Sequence, residues 1–249
     1  MAQRVQQGKI RAAAVATGVS ATGIVLSVFT AIPVLFFVEI EPDGSTSLVG
    51  FAALFIASYV GFLLTAFGFL RYAGKGLEYF DLEWPSRRDL KYVAGGIVAI
   101  FAVVLALGIL YTLIEVETTP NAITEPGYDD PNFLLVLVPL VIFVNAPAEE
   151  LLFRNVVQKS LYGPFSRRGA VVVTSAIFAL VHIPSYYHPD PTVIASSIVV
   201  IFGGSLVFGW VYARTDNLVV PSLVHGLFNA IQVLLLYSYV STDPTLGVA

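Results

Sequence analysis

Seven stretches of this 249-residue chain stay apolar for about as long as a helix needs to cross a bilayer. They run roughly over 12–38, 48–70, 92–114, 133–160, 168–185, 192–213 and 218–240. A helix crosses the hydrocarbon core in about 20 residues, and lipid admits only helices and closed barrels, which satisfy their own backbone groups. The composition agrees: 57% of residues are hydrophobic and 12% charged, against roughly 25% charged in a soluble domain. The first run follows "MAQRVQQGKIR" and is too long for a signal-peptide core, so it reads as a retained span. The expected fold is all-α, a polytopic membrane helix bundle of about seven transmembrane helices. An eighth span would require one long segment to be two.

Charge placement orients the bundle. With the N-terminus in the cytoplasm, the inner segments hold Arg4, Lys9, Arg11, Arg71, Lys75, Arg87, Arg88, Lys91, Arg154, Lys159, Arg167, Arg168 and Arg214, which are all 13 basic residues. The outer connectors hold Glu39, Glu41, Asp43, Glu115, Glu117, Glu125, Asp129, Asp130, Asp190 and Asp243. By the positive-inside rule the chain is N-in and C-out, a multi-pass protein of the plasma membrane. Residues 1–130 form spans one to three, with a cytoplasmic surface segment over 71–91 that is too charged to cross. Residues 131–240 form a core of spans four to seven, and 241–249 a short external tail. A net charge of −4 implies no nucleic-acid partner; membrane lipid is the evident one. The absence of cysteine removes disulfides, thiolate-bound zinc and thiol nucleophiles.

The stretch "VIFVNAPAEELLFRNVV" (Val141–Val157) is the anomaly. A charge at the bilayer centre costs at least ~2.5–3.5 kcal/mol, and ionisable residues there are functional by default. At membrane depth the chain carries Asn145, Glu149, Glu150 and Arg154 on span four, His182 on span five, and His225 and Asn229 on span seven. Spans four and five form a hairpin around "GPFS", Gly163–Ser166, from which Glu149 and His182 are equidistant. They therefore face each other at one depth, roughly 24 Å from the hairpin tip and in the cytoplasmic half. Glu150 and Arg154 are i and i+4 with the acid first, the better order for an ion pair; His225 and Asn229 share one helix face at the same spacing. Glu149 is turned about 100° from Glu150 and cannot share that pair equally. Pro147 loosens the helix just before both acids. His188 belongs to the outer turn.

Together these residues spell "EELLFR" (149–154), "FALVH" (178–182) and "HGLFN" (225–229). The set resembles the CPBP intramembrane proteases, the Abi-type family of CAAX prenyl endopeptidases and bacteriocin-processing enzymes, over about residues 133–235. The family pattern is EExxxR, FxxxH and HxxxN or HxxxD on successive membrane helices. The resemblance implies an endopeptidase that cuts a membrane-associated, prenylated or leader peptide. It implies Glu149 as catalytic carboxylate, Glu150 and Arg154 as a charge-balancing pair, and His182 and His225 as holders of the water or a metal. Asn229 would polarise the scissile carbonyl. A divalent metal such as zinc would take Glu149, His182 and His225 as ligands. A metal-free scheme gives each acid one task, with Glu149 activating water and Glu150 pairing with Arg154, and is the favoured one.

Other readings of these residues are open. Glu149, Glu150 and Arg154 could be a structural ion pair, His182 a core histidine and Asn229 an interhelical hydrogen bond. A carboxylate–histidine cluster could also serve as a proton relay or ion site in a transporter, although no repeat is visible. A catalytically idle scaffold is the third alternative. The chain has no HExxH, no GxGD and no GxSG: "GGSL" at 203–206 is not the last of these.

Overall fold

The computed structural model describes residues 2–42 and 45–242. Asp43, Asp243 and the end of the tail lie outside the described residues. The described chain is helical, with one isolated bridge between Ile40 and Thr46 and no strand. Six helices are long and apolar enough to cross a membrane. They are α1 (Ala2–Ala31), α2 (Leu48–Ala73), α3 (Arg87–Leu113), α4 (Pro131–Gln158), α6 (Pro191–Thr215) and α7 (Val219–Thr242).

The fifth expected span differs. It is a helix of 15 residues, α5 (Arg167–Val181), about 22 Å long and shorter than the ~30 Å hydrocarbon core. The cause is local. His182 caps the helix, and Ile183 precedes Pro184, a position that disfavours α geometry. The chain continues through a 3₁₀ turn, Ile183–Tyr186, to reach α6.

α4 is the central helix and packs against α1, α2, α5, α6 and α7. α1 pairs with α2, α5 with α6, and α3 lies along α6 and α7. α4, α6 and α7 are buried over nearly half of their most apolar stretch, α1 and α3 over less than a fifth. The outer helices accordingly present apolar side chains outward, among them Val28, Phe29, Val98 and Leu105, as a lipid-facing surface requires. Gly203 permits α6 to meet α3: a Cβ there would stand 2.8 Å from Val103.

The charged segment between α2 and α3 is mostly exposed and is tied to the bundle at Phe80 and Asp81. α2 ends at Gly74, whose φ of +63° lets Lys75 N–H return to the Leu70 carbonyl. The chain then forms a strap across the ends of three helices. Phe80 is buried. Asp81 takes Lys159 Nζ at 2.7 Å, the Tyr212 hydroxyl at 2.5 Å and Asn155 Nδ2 at 3.2 Å. The Asp81 carbonyl accepts from Leu218 N–H at 2.7 Å, and Asn217 Nδ2 donates to the Glu83 carbonyl at 3.0 Å. A capping box between Ser86 and Asp89 then starts α3. Lys9 reaches the Phe165 ring and Arg167 pairs with Asp216, so the basic segments gather at one end of the bundle.

Candidate active site

α4 is not a regular α-helix where the site lies. It is wound as a π-helix over Val141–Asn145 and Leu151–Gln158, with one α-helical stretch, Ala146–Glu150, between. Pro139 and Pro147 lack the N–H that a regular ladder needs, and π segments of this kind accompany functional sites. Gly226 of α7 rests on the first π segment: a Cβ would lie 3.1 Å from Ile142 Cα and 3.4 Å from the Ile142 carbonyl oxygen. That close approach brings the neighbouring His225 against α4.

Glu149 and Glu150 point to different partners, as their 100° separation requires. Glu150 is fully buried and uses both oxygens: Oε2 accepts from Arg154 Nε at 2.9 Å, and Oε1 meets His225 Nδ1 at 3.0 Å. Arg154, also fully buried, donates from Nη2 to Ser205 Oγ at 3.0 Å and lies over the rings of Phe178 and Phe208. Phe208 stacks on His225, and Phe178 packs on His182.

Glu149 is divided between two environments. Its Oε1 accepts from Asn145 Nδ2 at 2.7 Å and from the Tyr59 hydroxyl at 3.3 Å. Asn145 Nδ2 also donates to the Tyr59 hydroxyl at 2.6 Å, and Asn145 Oδ1 accepts from Asn229 Nδ2 at 3.1 Å. Its Oε2 faces His182 Nε2 at 4.0 Å and His225 Nε2 at 3.9 Å, beyond hydrogen-bond reach. His182 Nδ1 lies 2.7 Å from the Phe178 carbonyl, which can only accept, so Nδ1 carries the proton. His225 Nδ1 meets a carboxylate already paired with arginine, so it donates too. With Nδ1 engaged in each ring, both imidazoles turn Nε2 toward Oε2.

Three lone-pair donors around one point have the chemistry of a divalent metal site, but their spacing does not fit. Tetrahedral zinc with bonds of about 2.0–2.1 Å holds its ligand atoms roughly 3.3–3.5 Å apart. The separations here are wider by about half an ångström, and among the described residues no three His, Asp or Glu are placed to hold an ion.

The structure thus brings together Glu149, Glu150, Arg154, His182, His225 and Asn229. His188 stays apart, its Nδ1 accepting from Asp190 N–H in the turn before α6. Sequence reasoning noticed Asn145 without giving it a role and missed Tyr59 altogether. The available signal was general: a tyrosine in the middle of a span seeks a partner for its hydroxyl.

Two cavities meet at this point. One of about 130 Å³ lies among α1, α2, α4 and the end of α5; the other, about 980 Å³, lies among α2, α3, α4, α6, α7 and the end of α5. Tyr59, Glu149, His182 and Ser185 line both.

No curated protein and no solved structure matches the chain. Residues 131–231 match the family model described as type II CAAX prenyl endopeptidase Rce1-like, and this segment contains all six of the residues expected from sequence. The interval begins at the first residue of α4 and ends within α7, so the helices carrying the Glu149 cluster are the part of the chain similar to an Rce1-like type II CAAX prenyl endopeptidase, at family level a CAAX-type intramembrane protease.

Proposed function

We propose that the protein is an intramembrane endopeptidase in which Glu149 activates water without a metal. The observation that carries this reading is the opposition of Glu149 Oε2 to two imidazole Nε2 atoms at 3.9–4.0 Å. Two hydrogen bonds of ~2.8 Å through one water span such a distance. That water directs one hydrogen to Oε2 and the other to an imidazole nitrogen, leaving an oxygen lone pair for the scissile carbonyl. Glu149 takes the proton as the carbon–oxygen bond forms. The Asn229 amide, which spends one N–H on Asn145, has a second for the developing oxyanion. As the carbon–nitrogen bond breaks, Glu149 returns the proton to the leaving amine.

Glu150 is given a different task in this scheme. It fixes His225 through Nδ1, so that Nε2 is aimed at the reacting atoms, and its other oxygen is held by Arg154. The bundle is N-in and C-out in the plasma membrane, with the strap on the cytoplasmic face and the site in the cytoplasmic half. The substrate is a membrane-associated, lipidated or leader peptide.

The test compares newly formed protein termini in membranes holding the unmodified protein and Glu149→Gln. Cuts that vanish in the variant, and persist in the unmodified protein after chelation, support the scheme. Cuts that depend on restored zinc reassign the same side chains as ligands, and identical termini remove the protease reading.

A further inference from the structure

Away from the Glu149 cluster, the outer groove between α3 and α6 carries two stacked arginines. Tyr92 near the start of α3 and Trp210 near the end of α6 meet with ring centroids 5.7 Å apart. The two helices run antiparallel, with Gly96 beside Val211 and Gly203 beside Val103. Arg88 stands over the Tyr92 ring and Arg214 over the Trp210 ring, each with its guanidinium carbon 5.6 Å from the centroid. In antiparallel helices, four residues back on α3 and four residues on along α6 lead the same way. Both guanidinium groups therefore lie one turn beyond the ring pair, side by side at the basic end of the bundle.

Neither arginine is neutralised within the protein. Both are exposed, and among the described residues neither side chain makes an ion pair or a hydrogen bond. The acids next to them in sequence are engaged elsewhere. Asp89 accepts from Ser86 N–H at 2.9 Å and from the Ser86 hydroxyl at 2.8 Å, and Asp216 takes Arg167. Arg71 and Lys75 at the same end are unpaired too, but neither stands over a ring. A guanidinium resting on an aromatic face keeps its N–H edge free in a fixed plane, and that fork matches the oxygens of a phosphate.

Depth and surroundings favour one kind of phosphate. Tyr92 is five residues from the first residue of α3 and Trp210 five from the last of α6, so the rings lie roughly 7–8 Å from the helix ends. Tyrosine and tryptophan concentrate at that level of a bilayer, beside the headgroups. Trp210 is 43% exposed. One turn deeper on α3, Gly95 is exposed, and a Cβ there would meet nothing within 4 Å, so a hydrocarbon chain can lie against the helix.

We infer that the α3–α6 groove is a binding site for an anionic phospholipid, with its phosphate held between Arg88 and Arg214 and its glycerol and upper acyl chain against Tyr92 and Trp210. Basic pockets between membrane helices take anionic headgroups in this way. A free phosphate would use the arginines alone, whereas a lipid uses the rings and the groove as well. The bound lipid clamps α3 to α6, two residues along from the Phe208 ring that stacks on His225. The site stands independently of the chemistry at Glu149.

The sequence supplies its own probe, because Trp84 and Trp210 are the only tryptophans. Trp84 is 97% exposed, so Trp84→Phe removes little packing and leaves Trp210 as the single indole. This variant is reconstituted in phosphatidylcholine vesicles containing a small fraction of either brominated phosphatidylglycerol or brominated phosphatidylcholine, and quenching of Trp210 is read. The expected result is a relative affinity for the anionic lipid at least about tenfold higher, as two cations at a membrane surface allow. Adding Arg88→Gln and Arg214→Gln together should abolish the preference. Adding Arg71→Gln and Lys75→Gln, which removes equal charge from the same end, should keep it. Equal quenching by the two lipids overturns the inference without recourse to any arginine variant. A preference that survives Arg88→Gln with Arg214→Gln, or one lost equally in both double variants, reduces the effect to diffuse attraction and overturns the site. A preference erased by millimolar inorganic phosphate at constant ionic strength would assign the arginines to the free anion and overturn the lipid.

Discussion

α4 carries two polar clusters within three turns of each other, and they are built on opposite plans. At its end, Asp81 is answered by a lysine, a tyrosine and an asparagine, all at 2.5–3.2 Å. At Glu149, one oxygen is held by Asn145 and Tyr59, and the other stands about 4 Å from two imidazoles. The first cluster is closed around its carboxylate: both Asp81 oxygens have partners, and the gain is a fixed strap. The second is closed on one side only. Its open side collects three lone pairs that do not satisfy each other, which stabilises nothing by itself and suits a reacting molecule. Between them, Glu150 and Arg154 are shut away from solvent and serve the open cluster by aiming His225.

The sharpest test of that contrast is Glu149→Gln. It keeps the size and the Asn145 contact but removes the base. Cleavage should fall by ~10²–10⁴-fold, the usual worth of a general base, while the melting temperature in detergent hardly changes. A large loss of stability would move Glu149 into the closed class. Arg154→Ala should do the reverse. It leaves Glu150 buried without its cation, at a cost of about 3–5 kcal/mol, read as a strongly lowered melting temperature and poor yield. Unchanged stability would mean that water reaches Glu150.

Part of this contrast was legible in the sequence and part was not. Glu149 and His182 are equidistant from the Gly163–Ser166 turn, and a helical hairpin fixes its own register, so their meeting followed from counting. The Glu150–Arg154 pair followed from i, i+4 spacing. The length of α5 did not follow, because hydropathy continues past His182 although the helix stops there. Tyr59 and Asp81 were hidden for another reason. They reach partners 90 residues away at Glu149, and 74 to 131 residues away at Asn155, Lys159 and Tyr212. Such contacts depend on which helices become neighbours, and periodicity within a helix carries no information about that. The π winding of α4 was hinted at by Pro139 and Pro147 without its form being fixed.

Tyr59→Phe refines the open cluster. The ring keeps its packing against Phe55 and Phe62, and only the hydroxyl on Glu149 Oε1 is lost. A hydrogen bond to a charged group contributes about 1.5–3 kcal/mol, so kcat should fall at least ~10-fold with KM and melting temperature nearly unchanged. Equal kcat would leave Tyr59 as a wall between the two cavities and nothing more. Asp81→Asn probes the closed cluster with a smaller change. It removes the charge facing Lys159 and should cost about 1–2 kcal/mol of stability, with cleavage per folded molecule unaffected. A selective loss of turnover would join the two clusters functionally and break the contrast.

The smallest expected effect belongs to Tyr79, at the edge of the strap. Burial first, and the nearby Asp81 carboxylate second, push its phenol from 10.0 up to about 12. Lys159 lies over the ring and donates to the Tyr79 carbonyl at 2.7 Å. The folded strap therefore holds the phenolic proton more tightly than the unfolded chain does. That contribution to stability is fully present below pH 10.0 and is lost as the pH rises through about 12. Tyr79 is only partly buried, so solvent screens much of it. Melting curves in detergent between about pH 9 and pH 11.5 should fall more steeply for the unmodified protein than for Tyr79→Phe, which cannot ionise there. Lys159 is common to both and cancels in the difference. Parallel curves would show that the strap is hydrated around Asp81, and the closed cluster would then be less closed than its short hydrogen bonds imply.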